Sequence, residues 1–148
     1  MAEVAFYHLT VRRLEEVLPR LLEKIVAAGH RVVLRAPSGE RLDQLDRLLW
    51  TYQREAVLPH GTRADGHADR QPIYLTTEEE NPNGASVLVV VDGASGEDGA
   101  AFTRVVDLFD GNDPEAVAAA RERWRRAREA GHRLVYWRQD AEGRWQRS

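Results

Sequence analysis

The chain has 148 residues, a formal net charge of −3 at pH 7 and no cysteine. A chain of this length is expected to form one domain, residues 1–148, around a single core, and the lack of cysteine excludes disulfides and thiolate metal sites. The net negative charge argues against a protein that binds nucleic acid through a surface that is positive overall, although it allows a local basic patch. The sequence shows neither a signal peptide nor an apolar run of 18 residues, so we expect a cytoplasmic protein with no membrane partner.

The first elements alternate between strand and helix patterns. Residues 5–9 form an apolar run typical of a buried strand, and apolar residues then recur at helical spacing. We expect this helix to begin near residues 15–16, because Pro19 would then lie where few N–H groups have partners, and to end at residues 28–29. A second strand is expected at residues 30–36.

The second helix is expected to follow the turn at residues 37–39, with Ser38 as its N-cap. The apolar side chains of its inner stripe are Leu42, Leu45, Leu49 and Tyr52. Trp50 projects about 80° around the helix from Leu42, so we expect its indole at the edge of the packed face. The alternative is that Trp50 simply covers a loop.

A proline-bearing apolar segment and a polar loop follow this helix. Val57, Leu58 and Pro59 are hard to accommodate in a loop unless a partner covers them or they fold onto the sheet. Residues 62–71 have the composition of a flexible loop. Histidines and aspartates occur in this region, but their spacing matches no metal-ligand motif, and we expect no metal site.

The second half of the chain again alternates between strands and helices. Residues 87–91, VLVVV, lack polar alternation and are typical of a strand covered on both faces. Further strands are expected at residues 72–76, 104–109 and 134–138, with an edge hairpin at residues 144–146. The pattern predicts an α/β fold in which helices flank a mostly parallel central sheet.

The last helix carries the strongest signals. Asp113 is the expected N-cap, with proline at the first helical position, and Gly131 is suited to end the helix. Its inner stripe is predicted to contain Val117, Ala120, Trp124 and Ala127. A second stripe, Arg121, Arg125 and Arg128, lies beside Trp124 and suits an acidic aromatic peptide or a phosphate backbone. The alternative is a solvated helix face with ordinary i,i+4 ion pairs.

No motif in the sequence points to catalysis. It contains no G-x-S-x-G elbow, no H-E-x-x-H pair and neither common phosphate-binding glycine pattern. The glycine-bearing residues 92–99 leave a small nucleotide-binding or hydrolytic enzyme as an alternative. A second alternative is direct binding of single-stranded DNA by the arginine helix, with Trp124 as a stacking platform.

Several motifs in order along the chain resemble one known family. They are F-Y-x-L at residues 6–9, L-D-x-L-D-x-L-L-W at 42–50, L-P-H at 58–60, F-T-x-V-V-D-x-F at 102–109, and A-R-x-R-W with the following G-H-x-L-x-Y-W at 120–137. Together they resemble the chi subunit of the bacterial DNA polymerase III holoenzyme. The resemblance implies a non-catalytic α/β domain, without a cofactor, that joins the clamp loader through a partner subunit, psi. It also implies binding of the acidic C-terminal tail of the single-stranded-DNA-binding protein, and thus an indirect link to DNA.

The resemblance also implies two sets of site residues. The tail-binding site would contain Arg121, Trp124 and Arg125, with Trp50 nearby and Arg128 as a further donor. The contact with a psi-like subunit would include Val57, Leu58 and Pro59, although Val57 stands where the best-known members have an aromatic residue.

Overall fold

A computed structural model describes residues 2–51 and 59–148. Within these residues the strands are β1 (Glu3–Leu9), β2 (Val32–Arg35), β3 (His60–Gly61), β4 (Ile73–Thr76), β5 (Val87–Val91), β6 (Arg104–Asp110), β7 (Arg133–Gln139) and β8 (Trp145–Arg147). The α-helices in the same residues are α1 (Leu14–Ala27), α2 (Gly39–Thr51) and α3 (Pro114–Glu129). The described strands form one sheet in the order β3-β4-β2-β5-β6-β1-β7-β8. The predicted α/β architecture is confirmed.

The sheet is parallel except at one edge. β5 lies near the centre, between β2 and β6, and all five of its residues are buried, as the VLVVV run predicts. β1 lies between β6 and β7. β8 pairs antiparallel with β7, which confirms the predicted edge hairpin.

The helices cover the two faces of the sheet unequally. The apolar side chains of α1 and α2 pack with Tyr7 and Leu34 on one face, called here the α1–α2 face. Those of α3 pack with Phe6 and Val33 on the opposite face, the α3 face. Adjacent residues of β1 and of β2 thus contribute to different cores, since successive strand side chains point to opposite faces.

Local sequence signals fix most helix ends. The Ser38 hydroxyl oxygen accepts from the Arg41 N–H at 3.2 Å, and the Asp113 carboxylate accepts from the Glu115 N–H at 3.0 Å, so both expected N-caps are confirmed. α1 begins at Leu14, slightly earlier than expected. Pro19 is therefore the sixth residue of the helix, where the N–H that it lacks would have bonded within the helix.

The segment that follows β3 is a loop with two short turns. Residues 60–61 form β3, and single 3₁₀ turns occupy Arg63–Asp65 and Ala68–Arg70. Residues 62–71 thus form a mostly exposed connection between β3 and β4, as their loop composition predicts, with local order from the two 3₁₀ turns. An Asp65 carboxylate oxygen accepts from the Thr62 N–H at 2.8 Å, a local contact that composition does not reveal.

Candidate functional site

The inner stripe of α3 packs as the sequence predicts. Ala120 is buried, and Val117, Trp124 and Ala127 lie partly buried against the core of the α3 face. The Trp124 ring makes edge contacts with Phe6, at a centroid distance of 5.3 Å, and with Tyr136, at 5.6 Å. Trp124 is therefore fixed by aromatic neighbours while part of its ring remains accessible.

A groove of about 350 Å³ lies beside Trp124, between α3 and the edge of the sheet. We call it the arginine groove. The residues that line it are Val117, Ala120, Arg121, Trp124, Tyr136, Arg138 and Ser148. Its volume falls within the range of about 300–1,000 Å³ that is typical of ligand sites.

The register of β7 explains why Tyr136 and Arg138 reach this groove. Tyr136 pairs with Phe6 and Arg138 pairs with His8 across the parallel β1–β7 ladder. Partners in a ladder share a face, and Phe6 belongs to the core of the α3 face, so Tyr136 and Arg138 also point toward α3. Neither residue was predicted from the sequence. Their signal is a spacing of two within a strand, which becomes informative only once β7 is known to lie beside α3.

The floor of the groove is polar and electropositive. The Tyr136 hydroxyl lies 2.6 Å from Nδ1 of His8, whose side chain is buried. Burial lowers the pKa of His8, and the positive charges of Arg138 and Arg121 lower it further. Burial raises the pKa of Tyr136, and Arg138 and Arg121 oppose this rise. The guanidinium groups therefore approach the same two rings from the strand and from the helix.

The other two arginines of the predicted stripe lie outside the groove lining. Arg125 pairs with Glu122 at 2.5 Å and with Glu129 at 2.6 Å along the surface of α3. These carboxylates raise the pKa of Arg125 well above its ordinary value. Arg128 is exposed and has no carboxylate within 4 Å among the described residues. The structure thus brings Arg121 and Trp124 together in one groove. Arg128 lies outside the groove lining, and the charge of Arg125 is balanced by Glu122 and Glu129.

Trp50 is remote from this groove, and the expectation that it lies near Trp124 is wrong. It projects from the end of α2, on the α1–α2 face, and its ring lies 4.5 Å from that of His60 in β3. Five strand spacings separate β3 from β1, which is roughly 24 Å at about 4.8 Å per strand. Helical spacing showed the direction of Trp50 around its own helix but not the face of the sheet to which that helix belongs.

The surroundings of Trp50 form a second candidate surface. Its residue is 59% exposed, while the neighbouring His60 is buried and lies 3.1 Å from the Asp46 carboxylate. Pro59 is exposed and directly precedes His60. Val57 and Leu58, the other two predicted contacts, lie outside the described residues. Trp50 and Pro59 therefore present an apolar surface at the β3 edge of the sheet.

The loop at residues 92–99 is anchored by the protein's own charges. Arg35, only 1% exposed, donates to both Asp98 carboxylate oxygens, at 2.6 and 2.9 Å, and to the Ser95 carbonyl at 2.8 Å. Asp92 accepts from Arg41 at 2.6 Å. Both aspartates of this loop are thus engaged in ion pairs, which weakens the nucleotide-binding or hydrolytic alternative.

A larger cleft, of about 550 Å³, lies between this loop and α3. At its floor the buried Asp107 accepts two hydrogen bonds from Arg123, at 2.6 and 3.0 Å. Burial raises the pKa of Asp107, and Arg123 opposes this rise. At its rim Arg126 pairs with Glu97 and Glu122. The charged groups of this cleft pair with one another, whereas Arg121 and Arg138 in the arginine groove have no carboxylate partner in the part of the chain that the structure describes.

The described residues contain neither a metal-binding cluster nor a membrane-spanning helix. No group of three or more histidine, cysteine, aspartate or glutamate side chains in residues 2–51 and 59–148 is arranged to hold a metal ion. In the same part of the chain, no helix combines the length and the apolar character needed to span a bilayer.

Comparison with known proteins identifies related sequences. Residues 1–135 match the model of the family described as DNA polymerase III chi subunit, HolC. The chain is 35% identical over 91 residues to the probable DNA polymerase III subunit chi of Rickettsia prowazekii (strain Madrid E), which covers 62% of this chain and 55% of that protein. It is 30% identical over 119 residues to the DNA polymerase III subunit chi of Pseudomonas aeruginosa, which covers 80% of this chain and 82% of that protein. The match thus spans about half the length of the Rickettsia protein and most of the Pseudomonas protein.

Proposed function

Because this chain belongs to the DNA polymerase III chi subunit family, we propose that it is a non-catalytic accessory subunit that links the clamp-loader assembly to the single-stranded-DNA-binding protein during replication. The arginine groove binds the acidic C-terminal tail of that protein. The surface around Trp50 and Pro59 binds a psi-like subunit. The contact with DNA is then indirect, through the coated strand.

The tail-binding proposal rests on one observation. A guanidinium that has no carboxylate partner in the described residues lines the same groove as two aromatic rings. Arg121 has no carboxylate within 4 Å in the described part of the chain, and it lies one turn from Trp124. The Trp124 and Tyr136 rings provide an apolar wall beside it. A tail that offers several carboxylates and one aromatic ring matches both features.

The aromatic anchor should supply more of the binding free energy than any single exposed ion pair. Exposed pairs contribute only about 0.2 to 1 kcal/mol and are screened by salt, whereas a buried aromatic ring contributes through its area. We therefore expect micromolar-class affinity with a salt-resistant part. Arg121 and Arg128 provide the salt-dependent part, and Arg125 contributes less because Glu122 and Glu129 occupy its donors.

The proposed psi-like interface combines Val57, Leu58 and Pro59 with Trp50. Trp50 is one of two large apolar residues in the described chain that are exposed over more than half of their surface. Its ring contacts that of His60, which directly follows Pro59, so the exposed indole lies close to the described end of the proposed segment. Large exposed aromatic residues of this kind are typical of protein interfaces.

The tail-binding proposal can be tested by titrating a fluorescent acidic peptide with a terminal phenylalanine into the protein. Trp124→Ala and Arg121→Ala should each weaken binding substantially, and Arg121→Lys should not restore it if the planar fork is used. Arg144→Ala is the matched control, since Arg144 lies in the β7–β8 turn and pairs with Asp140 and Glu142. Unchanged binding in all three test variants would refute the proposal.

Direct binding of single-stranded DNA is the second candidate function. Residues 120–148 contain nine arginines and four acidic residues, although the whole chain is acidic. A basic edge with accessible tryptophan can hold a phosphate backbone and stack bases. An unlabelled oligonucleotide that displaces the peptide at comparable concentration, with a steep dependence on salt, would favour this function.

A further inference from the structure

The last two strands carry an aromatic surface on the face of the sheet opposite to the arginine groove. Trp137 of β7 and Trp145 of β8 pack against the core of the α1–α2 face, yet both remain partly exposed. The Trp137 ring stacks on the ring of Tyr7 at a centroid distance of 6.4 Å, and the Trp145 ring meets Tyr7 edge-on at 5.0 Å. Two large rings are thus held in place while part of their surface stays accessible.

Helix α1 borders this surface on one side. Glu15 pairs with Arg41 of α2 at 2.7 Å, so that side of α1 faces α2. At about 100° per residue, Val17 and Lys24 lie about 160° and 180° around the helix from Glu15, on the side directed toward β7 and β8. Val17 packs against the same core as the two tryptophans, and Lys24 is exposed. The helix therefore places a cation at the border of the aromatic surface.

The strands add cations on the same face. Arg133 pairs in register with Glu3, and Arg147 pairs in register with Trp137, so both arginines point to the α1–α2 face. Arg133, Arg147 and Lys24 are exposed, and none of them has a carboxylate within 4 Å in residues 2–51 and 59–148. Their charges are therefore available to a ligand.

The charge balance of this surface is positive. Arg104 of β6 also faces this side, and it opposes the rise in the pKa of Tyr7 that burial causes. Glu3 lies in register between Arg104 and Arg133, but in the part of the chain that the structure describes it forms no ion pair within 4 Å with either. One carboxylate among four cations leaves a local positive excess on a chain that is acidic as a whole.

We propose that this surface, called here the tryptophan face, binds single-stranded nucleic acid. Its residues are Tyr7, Lys24, Arg104, Arg133, Trp137, Trp145 and Arg147. Bases stack on the tryptophan rings, and the cations contact the phosphates that flank those bases. The inference goes beyond the proposed function, since it adds a direct contact with the strand to the indirect one and does not involve the arginine groove.

The layout of the tryptophan face favours nucleic acid over an acidic peptide. β7 has seven residues, which span about 20 Å at about 3.3 Å per residue. Arg133 lies at its start, and Arg147 lies beside its fifth residue, Trp137. Charges spread along a strand suit a polymer that carries a phosphate on every nucleotide, and rings on the surface of a sheet suit successive bases. An acidic peptide supplies the charges without a ring on every unit.

The test measures the fluorescence anisotropy of a labelled oligothymidylate of about 15 nucleotides with the full chain at several salt concentrations. Wild-type protein should bind it, and the affinity should fall as the salt concentration rises. Arg147→Gln and Lys24→Gln should each weaken binding about three- to fivefold and reduce the slope of log K against log salt by about 0.7. Trp137→Leu keeps an apolar side chain beside Tyr7 but removes the indole, and should weaken binding at least about fivefold.

Arg144→Gln is the matched control. Arg144 is an exposed arginine of the turn between β7 and β8, and it pairs with Asp140 and Glu142. This variant has the same net charge as Arg147→Gln and should bind the oligonucleotide like wild type. Thermal melts establish that the variants are folded, and the two charge variants decide the question if Trp137→Leu is unstable.

The possible outcomes separate this inference from the other proposals. No oligonucleotide binding by wild-type protein, or unchanged binding in both charge variants, would overturn it and leave tail binding intact. Binding that is lost in Arg121→Ala but kept in the charge variants would assign the nucleic acid to the arginine groove and also overturn it.

A competition arm distinguishes nucleic acid from an acidic protein. Unlabelled acidic peptide should bind wild-type protein together with the oligonucleotide, because the tryptophan face and the arginine groove lie on opposite faces of the sheet. The same peptide is then added to Arg121→Ala, in which the arginine groove is impaired. Displacement of the oligonucleotide from this variant would show that the tryptophan face prefers an acidic protein, which would refute the inference.

Discussion

The hydroxyl of Tyr136 and the imidazole of His8 form a hydrogen bond of 2.6 Å directly beneath the arginine groove. The two residues come from neighbouring parallel strands, and His8 is also enclosed by the ring of Phe109. An alanine at Gly111 would place its Cβ against the His8 ring, so the glycine allows this close approach. A titratable ring is therefore held at the floor of the groove that we propose binds an anion.

We expect peptide binding to strengthen as the pH falls from 8 to about 5.5, the range around the ordinary histidine pKa. In the free protein, burial, Arg138 and Arg121 lower the pKa of His8, while Gly111 and Asp110 oppose them, so His8 is neutral at pH 7. A bound carboxylate offsets the two guanidinium charges and raises that pKa. The complex then binds more protons than the free protein, so the affinity for the peptide increases as the pH falls. The increase is lost as the pH rises above the pKa that His8 has in the complex.

His8→Gln should remove most of this pH dependence. His30→Gln should preserve it, because His30 is exposed just before β2 and its ring contacts Ser86 rather than a groove residue. The measurement is the peptide dissociation constant at half-unit pH intervals, kept above the range in which the peptide's own carboxylates are protonated. An equally steep profile in His8→Gln would show that another group carries the effect.

The anchoring of the 92–99 loop gives a prediction about stability. Asp98→Ala should cost about 3–5 kcal/mol of unfolding free energy, because it leaves a buried guanidinium without its charge partner. Glu97→Ala changes the adjacent residue, whose carboxylate is 71% exposed and, within residues 2–51 and 59–148, pairs only with the surface residue Arg126, and should cost less than about 0.5 kcal/mol. Urea unfolding of both variants measures the difference. Equal costs would mean that the loop does not depend on Arg35.

The two proposed surfaces should be independent of each other. Trp50→Ala should weaken capture of a purified psi-like subunit and leave peptide binding unchanged, and Trp124→Ala should do the reverse. The two tryptophans lie on opposite faces of the sheet and share no ring partner among the described residues, and distant sites of this kind behave additively. Immobilised psi-like subunit and labelled peptide, tested against the same preparations, provide the two readouts. Loss of peptide binding in Trp50→Ala would restore the single-site arrangement expected from the sequence.

The sequence was most informative where one physical requirement determines the structure. The VLVVV run of β5 requires cover on both faces, and the caps at Ser38 and Asp113 depend on hydrogen bonds within a few residues. Both kinds of signal are local, and the structure confirms them.

The candidate site depended on information that a single sequence does not contain. Tyr136 and Arg138 become groove residues because β7 lies beside β1 and under α3, which is a matter of strand order. Trp50 was misplaced because the face of the sheet covered by α2 cannot be read from helical spacing. β3 has two residues, too few for any periodic pattern.

Because Arg125 already forms ion pairs, its positive charge should contribute less to peptide binding than that of Arg121. Arg125→Ala should weaken peptide binding by less than about threefold, because Glu122 and Glu129 already occupy its donors and its exposed charge is screened. Arg121→Ala removes a guanidinium that has no carboxylate partner among the described residues and should weaken binding more. Titrations at low and high salt should show the two variants converging as screening removes the ionic contribution.

Removing Glu122 should have the opposite effect. Glu122→Gln frees part of the Arg125 fork and removes a negative charge next to Arg121, so we expect peptide binding to strengthen by about two- to fivefold at low salt. Glu40→Gln is the control, since it removes the same charge from an exposed residue in the first turn of α2, on the opposite face of the sheet. Combining Glu122→Gln with Arg125→Ala separates the two causes. A gain that disappears in the double variant acts through the released Arg125, whereas a gain that persists acts directly on Arg121. Weaker binding in Glu122→Gln would contradict both, because it would mean that the peptide needs Arg125 held in place by its carboxylate partner.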